Sequence, residues 1–236
     1  MLKNIIRITI ILFSLTNSII FSQKIIDNHL NSWWSYAGDH TLVDDWSLHT
    51  LYSFRRNDFV KNWQQSLLRI GPNFKISDYL TVTAGFDWLV NLPHGKQPVA
   101  KRFNEYRIFE RFTLKNEVAM IDLKHRYQLE QRFVSGHLVR NRVRYRLTAS
   151  IPLGYDNPFS VVLFDEVFMK MGEGVVGQYL EQNWVYIGIT CHFNKQASIK
   201  LGYMNQYLIK SDNMHIENNH TLSFGVSYNI TIKKTN

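Results

Sequence analysis

The sequence holds a single cysteine, Cys191, so it has neither an intramolecular disulfide nor a cysteine-based zinc site. It lacks a Gly-Lys-Ser phosphate loop, a Gly-x-Gly-x-x-Gly turn and a His-Glu-x-x-His helix, which removes the usual signatures of nucleotide and zinc-hydrolase chemistry. None of its nine histidines stands at i, i+2 or i, i+4 from another, so no metal is expected. No cofactor is expected either. Beyond residue 22 there is no run of 18 apolar residues, which excludes a bundle of transmembrane helices. Charged residues are 19% and hydrophobic residues 45%, so the chain is not a disordered tail. With 236 residues, it has the length of one domain.

What is present starts with an export address. Lys3 and Arg7 precede an uncharged apolar stretch from Ile8 to Phe21, closed by Ser22, as in a secretory signal peptide. Thr16-Asn17-Ser18 interrupts that stretch and leaves it short of a membrane-spanning helix. Residues 1–22 are therefore expected to be a cleaved signal peptide. Without Lys3 and Arg7, the 27 basic residues fall to 25 against 19 acidic ones, a mature charge of +6.

The rest of the chain alternates with period two. Leu222, Phe224, Val226, Tyr228 and Ile230 are interleaved with Ser223, Gly225, Ser227 and Asn229, and Leu80 to Val90 reads the same way. Ile121 to Phe133 and Val139 to Ile151 set apolar residues against charged ones, with His125 and Gln131 as polar interruptions of the apolar side. Successive side chains of a strand point to opposite faces, so each such segment has one apolar and one polar face. Several runs are far longer than the ~5–6 residues common in soluble strands. Trp34, Trp46, Trp63, Trp88 and Trp184 stand near expected strand ends, where the aromatic girdles of membrane barrels lie. With export, these features favour an all-β fold: a transmembrane antiparallel up-and-down β-barrel over residues 45–236, rather than a secreted lipocalin-like barrel.

Ten strands are expected, at 45–55, 60–75, 79–90, 104–115, 119–134, 138–151, 159–168, 182–193, 196–209 and 219–232. Short turns fall at Arg56-Asn57-Asp58, Ser77-Asp78, Lys115-Asn116-Glu117, Ser135-Gly136 and Asn194-Lys195, and longer loops at 91–103, 169–181 and 210–218. An even number puts both chain ends on the periplasmic side. Residues 23–44 stay open at this point: the stretch Leu30 to Tyr36 threads the lumen, pairs at the seam or belongs to a twelve-strand barrel.

The last strand, with Ser223, Gly225, Tyr228 and Ile230 in order, resembles the assembly signal read by the barrel assembly machinery, although it stops short of the terminus at Lys233 to Asn236. The order of Trp33, Arg55, Gln65, Arg69, Glu105, Arg107, Tyr127 to Arg132, Glu166, Asn183 and Gly202 to Gln206 resembles the Gram-negative outer-membrane family catalogued as domain of unknown function 2490. That resemblance covers nearly the whole mature chain. It implies the fold and a location in the cell outer membrane among its lipids; it carries no activity.

Chemistry concentrates on the inner face. Arg140, Arg142, Arg144 and Arg146 share one side of a strand, and the neighbouring strands add Arg107, Arg126 and Arg132 with Glu105, Asp122 and Glu130 as acidic partners. Between residues 101 and 146, 12 basic residues face 5 acidic ones. The structural reading is a lumen filled by cross-strand arginine–carboxylate pairs. The functional reading is a porin-like, electropositive path or binding site for small anionic solutes. A third class is a membrane-embedded lipid or ester hydrolase built on His192, with Thr190, Tyr186 and Ser198 nearby. Arginines on an interior face argue against nucleic acid.

Overall fold

The computed structural model describes residues 24–92, 102–172, 175 and 178–231. The expected signal peptide and the last five residues lie outside this range, as does most of the 91–103 loop. Eleven strands close into one barrel: β1 (Ile25–Val43), β2 (Trp46–Asn57), β3 (Asn62–Lys75), β4 (Leu80–Asn91), β5 (Phe103–Val118), β6 (Ile121–Val134), β7 (Arg140–Pro152), β8 (Phe159–Met171), β9 (Leu180–His192), β10 (Ala197–Ile209) and β11 (His215–Tyr228).

Each of the ten expected strands is present, with ends displaced by a few residues. The eleventh is the segment left open. Residues Ile25–Val43 form β1, which pairs β2 in antiparallel fashion and β11 in parallel, from Ile25 opposite His215 to Ala37 opposite Ser227. The barrel therefore has neither ten nor twelve strands, and it is antiparallel throughout except at this seam. With eleven strands, β1 and β11 run in the same direction, so the start of β1 and the end of β11 lie on opposite rims. That overturns the expectation of both ends on one side. Beyond the parallel pairing, the Thr41 amide still donates to the Ile230 carbonyl at 2.8 Å, and Thr41 bridges Thr231.

One rim carries the reversals at 44–45, 76–79, 119–120, 153–158 and 193–196; the other carries 58–61, 92–102, 135–139, 172–179 and 210–214. They are called here the short-turn rim and the long-loop rim. The expected turn at Lys115-Asn116-Glu117 lies inside β5. The chain reverses only at Ala119 and Met120, with Ala119 at a φ of 58°.

The pleat sorts the side chains as alternation demands, and the sorting is inside-out. Ile70, Phe86, Ile108, Ile187 and Leu201 face outward and stay exposed, Ile187 at 54% and Leu201 at 61%, whereas Asp87, Glu130 and Glu166 face inward at 0%. Trp34, Trp46 and Trp88 are exposed on the outer surface; Trp184 is not. It is buried in the lumen, edge-on to Trp33 at 5.2 Å between ring centres, so it does not belong to an outer aromatic girdle. Trp184, Phe168, Tyr186, Met204 and Val162 form an apolar cluster inside the barrel.

Tyr186 is seated by absence. Its ring lies flat over the register partners Gly188 and Gly202, and a Cβ on either glycine would collide with the Tyr186 hydroxyl. On its other side the ring stacks on Phe164, with centres 4.8 Å apart and planes within 7°. Gly202→Val is expected to cost about 1–3 kcal/mol through overpacking. The measurement is the temperature at which the refolded barrel loses its fast-migrating form on a detergent gel. Adding Tyr186→Ala to Gly202→Val should cost less than the sum of the two single changes, because both act through one contact.

Candidate functional site: the charged lumen

Strands β3 to β9 carry into the lumen a girdle of arginines wound around five carboxylates. Each carboxylate is held by at least one guanidinium from another strand, so the network ties strands together. Asp87 takes two parallel bonds from Arg69, Nε and Nη2 both at 2.6 Å. Glu130 accepts from Arg142 Nε at 2.9 Å, Arg144 Nη1 at 2.5 Å and the Gln128 amide at 2.5 Å. Glu166 accepts from Arg126 Nη2 at 2.6 Å, Arg144 Nε at 2.9 Å and Arg146 Nε at 2.9 Å. Glu105 holds Arg107 at 2.8 Å and Arg132 at 2.5 Å, and Glu181 bridges Arg132 and Arg142 at 2.9 and 3.2 Å.

Arg142, Arg144 and Arg146 of β7 thus lie between acids on both sides. Arg142 and Glu130 are direct register partners, as are Arg146 and Glu166. A planar guanidinium with five donors can span two carboxylates at once, which is why arginine rather than lysine fills these positions. The guanidiniums also lie on inward rings: Arg146 is 4.0 Å from the centre of Phe164, Arg144 is 4.3 Å from Phe168 and Arg69 is 4.4 Å from Phe109. On the neighbouring wall Arg55 covers Trp33 at 3.7 Å. Such contacts contribute about 0.5–2 kcal/mol each.

Of the seven arginines singled out from the sequence, six enter this network. Arg140 lines the lumen without an ion pair among the described residues. Of the three expected acidic partners, Glu105 and Glu130 hold arginines. Asp122 stands near the short-turn rim opposite Ser150 and makes no ion pair among the described residues. Asp87, Glu166 and Glu181 do the remaining neutralising. They fall outside a charge tally over residues 101–146, on β4, β8 and β9. Among the assembly-signal residues, Ser223 and Gly225 line the lumen, Tyr228 is exposed on the outside, and Ile230 lies past the end of β11 with its amide 3.3 Å from His40 Nδ1.

Alongside the girdle runs a cavity of about 1410 Å³, lined by residues from Lys210 and Glu217 near the long-loop rim to Lys115 and Asp122 near the short-turn rim. On the short-turn side of the girdle the balance changes. Lys124 on β6 and Lys200 on β10 project into the cavity from well-separated strands, and neither makes an ion pair among the described residues. Arg111 also lacks a carboxylate partner there among the described residues, as does Arg55 nearer the long-loop rim. His192 and Ser198, register partners across β9 and β10, line the same cavity, with no hydrogen bond between them among the described residues. Among the described residues no group of histidines, cysteines and acids could hold a metal.

No curated protein matches this sequence. Among solved structures, the chain is similar to the outer-membrane expressed OmpT of Vibrio cholerae, at 12% identity and a TM-score of 0.43, over 78% of this chain and 59% of that one. It is also similar to the siderophore receptor PirA from Pseudomonas aeruginosa, at 14% identity and a TM-score of 0.27, over 71% of this chain and 32% of that one. The chain thus spans less than two thirds of the length of either. The sequence profile of the family described as protein of unknown function (DUF2490) matches residues 30–219, most of the length, and the chain belongs to that family.

Proposed function

We propose that this protein is an outer-membrane β-barrel whose lumen binds and passes small anionic solutes. Support for the membrane comes from the inside-out sorting: rows of exposed isoleucine, leucine and phenylalanine far exceed the apolar patch a soluble monomer tolerates, and the charges face a closed interior. Support for the anion path comes from one observation. The girdle sets seven arginines against five carboxylates, and Lys124 and Lys200 line the same cavity without an ion pair among the described residues. In a narrow lumen with low-dielectric walls, unanswered positive charge concentrates the field and draws in anions.

A specific observation favours a second reading, a closed structural barrel. The girdle arginines satisfy one another's acids and pack on Phe109, Phe164 and Phe168, as a load of interior side chains filling a small barrel would.

Reversal potentials of the purified barrel in planar bilayers under a potassium chloride gradient separate the two. Anion preference is the expected result, and Lys124→Glu combined with Lys200→Glu should turn it toward cations. A barrel that carries no current would support the closed reading. Girdle substitutions behave differently, because they leave buried charges unpaired. Glu166→Ala strands Arg126 and Arg146, takes from Arg144 one of its two acids, and is expected to destabilise the barrel by about 3–5 kcal/mol. It should lower the denaturant midpoint of unfolding followed by tryptophan fluorescence, whereas Lys200→Gln should leave that midpoint within about 0.5 kcal/mol of the parent.

A further inference from the structure

Asp39, His49 and Arg111 meet on the lumen wall from three strands. His49 on β2 has Asp39 on β1 and Gly71 on β3 as its register partners. Asp39 Oδ1 accepts from His49 Nδ1 at 2.8 Å and from the Asn73 amide at 2.9 Å, so the imidazole is held with its Nε2 turned away from the acid. That Nε2 lies 3.5 Å from Nη1 of Arg111, which comes from β5. Two intervening strands would normally keep such side chains apart. Here β3 and β4 contribute Gly71 and Gly85 to the wall between them; a Cβ on Gly71 would strike the Ala84 carbonyl, and one on Gly85 would lie 2.5 Å from the Phe109 ring.

Arg111 is the unanswered member. It is 6% exposed, its Nε donates to Gln128 at 2.8 Å, and its Nη2 has no hydrogen-bond partner among the described residues. The acids nearest to it are already claimed: Asp87 by Arg69, Asp39 by His49 and Asn73. A buried guanidinium donor without an acceptor is a costly arrangement that an anion relieves. The other groups facing His49 are Asp39 from β1, Arg69 from β3 and Arg111 from β5, with Lys124 from β6 within Coulomb range of Asp39.

We propose that Arg111 and His49 form an oxyanion seat, in which a carboxylate, sulfate or phosphate oxygen bridges Arg111 and His49 Nε2, and that binding is coupled to protonation of His49. With Nδ1–H committed to Asp39, neutral His49 presents only a lone pair at Nε2 and repels an incoming oxygen. Protonation turns the same atom into a donor beside the guanidinium, and Asp39 balances the added charge. The seat therefore takes up one proton per anion and fills as pH falls through the histidine range. This deepens the reading of the lumen as an anion path and rests on its being open to water.

Calorimetric titration of the full chain, refolded in detergent, with sodium sulfate tests it, because sulfate keeps its charge across the range. Sodium acetate at the higher pH values serves as the carboxylate arm. Sulfate should bind at least about tenfold more tightly at about pH 5.5 than at about pH 8. His49→Gln should remove that pH dependence, and Arg111→Gln should weaken binding at least about tenfold at both pH values, with Arg111→Lys recovering part. Each variant is first shown to be folded by its heat-shifted mobility on a detergent gel, and Arg111→Lys supplies the comparison where Arg111→Gln does not fold. Equal sulfate affinity at the two pH values, or in Arg111→Gln and the parent, overturns the seat. A barrel that conducts anions yet binds no sulfate overturns the seat alone; one that binds sulfate as described yet carries no current overturns the pore and keeps the seat.

Discussion

The structure depends on neutralising charge inside a closed wall. Once the apolar side chains face outward, every polar residue of the alternation is committed to a lumen too narrow to hydrate all of it, and a buried carboxylate is tolerable only when guanidiniums surround it. Glu130 and Glu166 are both inaccessible: Glu130 takes bonds from Arg142 and Arg144 of β7, and Glu166 from Arg126 of β6 and from Arg144 and Arg146 of β7. The consequence is mechanical as well as electrostatic. A one-residue slip of any strand between β3 and β8 would turn its whole set of charges out of the lumen, so the network fixes the register that the backbone ladder alone would leave open. The β7 arginine ladder, the most conspicuous feature of the sequence, is spent mainly on this task. The charge left for a ligand belongs to less conspicuous residues: Lys124, Lys200 and Arg111.

Closure imposes a second constraint. An even number of strands in an up-and-down barrel closes in antiparallel fashion, and an odd number cannot. With eleven, β1 and β11 are forced parallel, and thirteen successive register pairs from Ile25 to Ala37 make the seam as continuous as any other pairing. Past Ala37 the strands separate just enough for Asp39 to take the Asn229 side chain on its amide and for His40 to receive the Ile230 amide. The seam thus brings Asp39 to the lumen wall beside His49, and the oxyanion seat exists only because the barrel closes with this strand.

Most of the barrel was legible because period-two alternation is a direct imprint of the pleat, and ten strands carry it cleanly. The first strand does not. Asn28, Asn31, Ser32, Ser35 and His40 scatter polar groups over both faces of β1, and its sign is lost when the pattern is read alone. The outer side of the seam explains this: Asn28 accepts from Asn218, which in turn accepts from Asn205, so polar residues there answer one another across strands. The girdle was half legible. Arginines recurring at every second position announce a charged face, but the acids that balance them, Asp87 on β4, Glu166 on β8 and Glu181 on β9, do not recur along their strands, and register shows which arginine each one meets. Trp184 was misplaced for a related reason, since a tryptophan near a strand end reads as a girdle residue until parity assigns it to the inside. The Asp39, His49 and Arg111 cluster was not legible at all, because two glycines, visible only as gaps, bring it together.

The outer face obeys the same rule as the lumen in a milder form. Asp165 and Asn183 on β8 and β9 point outward and hydrogen-bond at 2.6 Å, and His125 and Tyr145 on β6 and β7 do so at 2.9 Å. Tyr203 and His220 pair at 2.6 Å on β10 and β11. Each pair joins adjacent strands, so each of these outward polar atoms meets a partner on the neighbouring strand, an arrangement that suits the membrane setting proposed above. Glu110, between Ile108 and Phe112 on the outside of β5, has no such partner among the described residues. A lone carboxylate on a lipid face is less costly than a lone cation there. The same asymmetry runs through the whole molecule: its basic residues are gathered inward, where acids or solute anions can meet them, and the outer band of the strands is left almost free of cations.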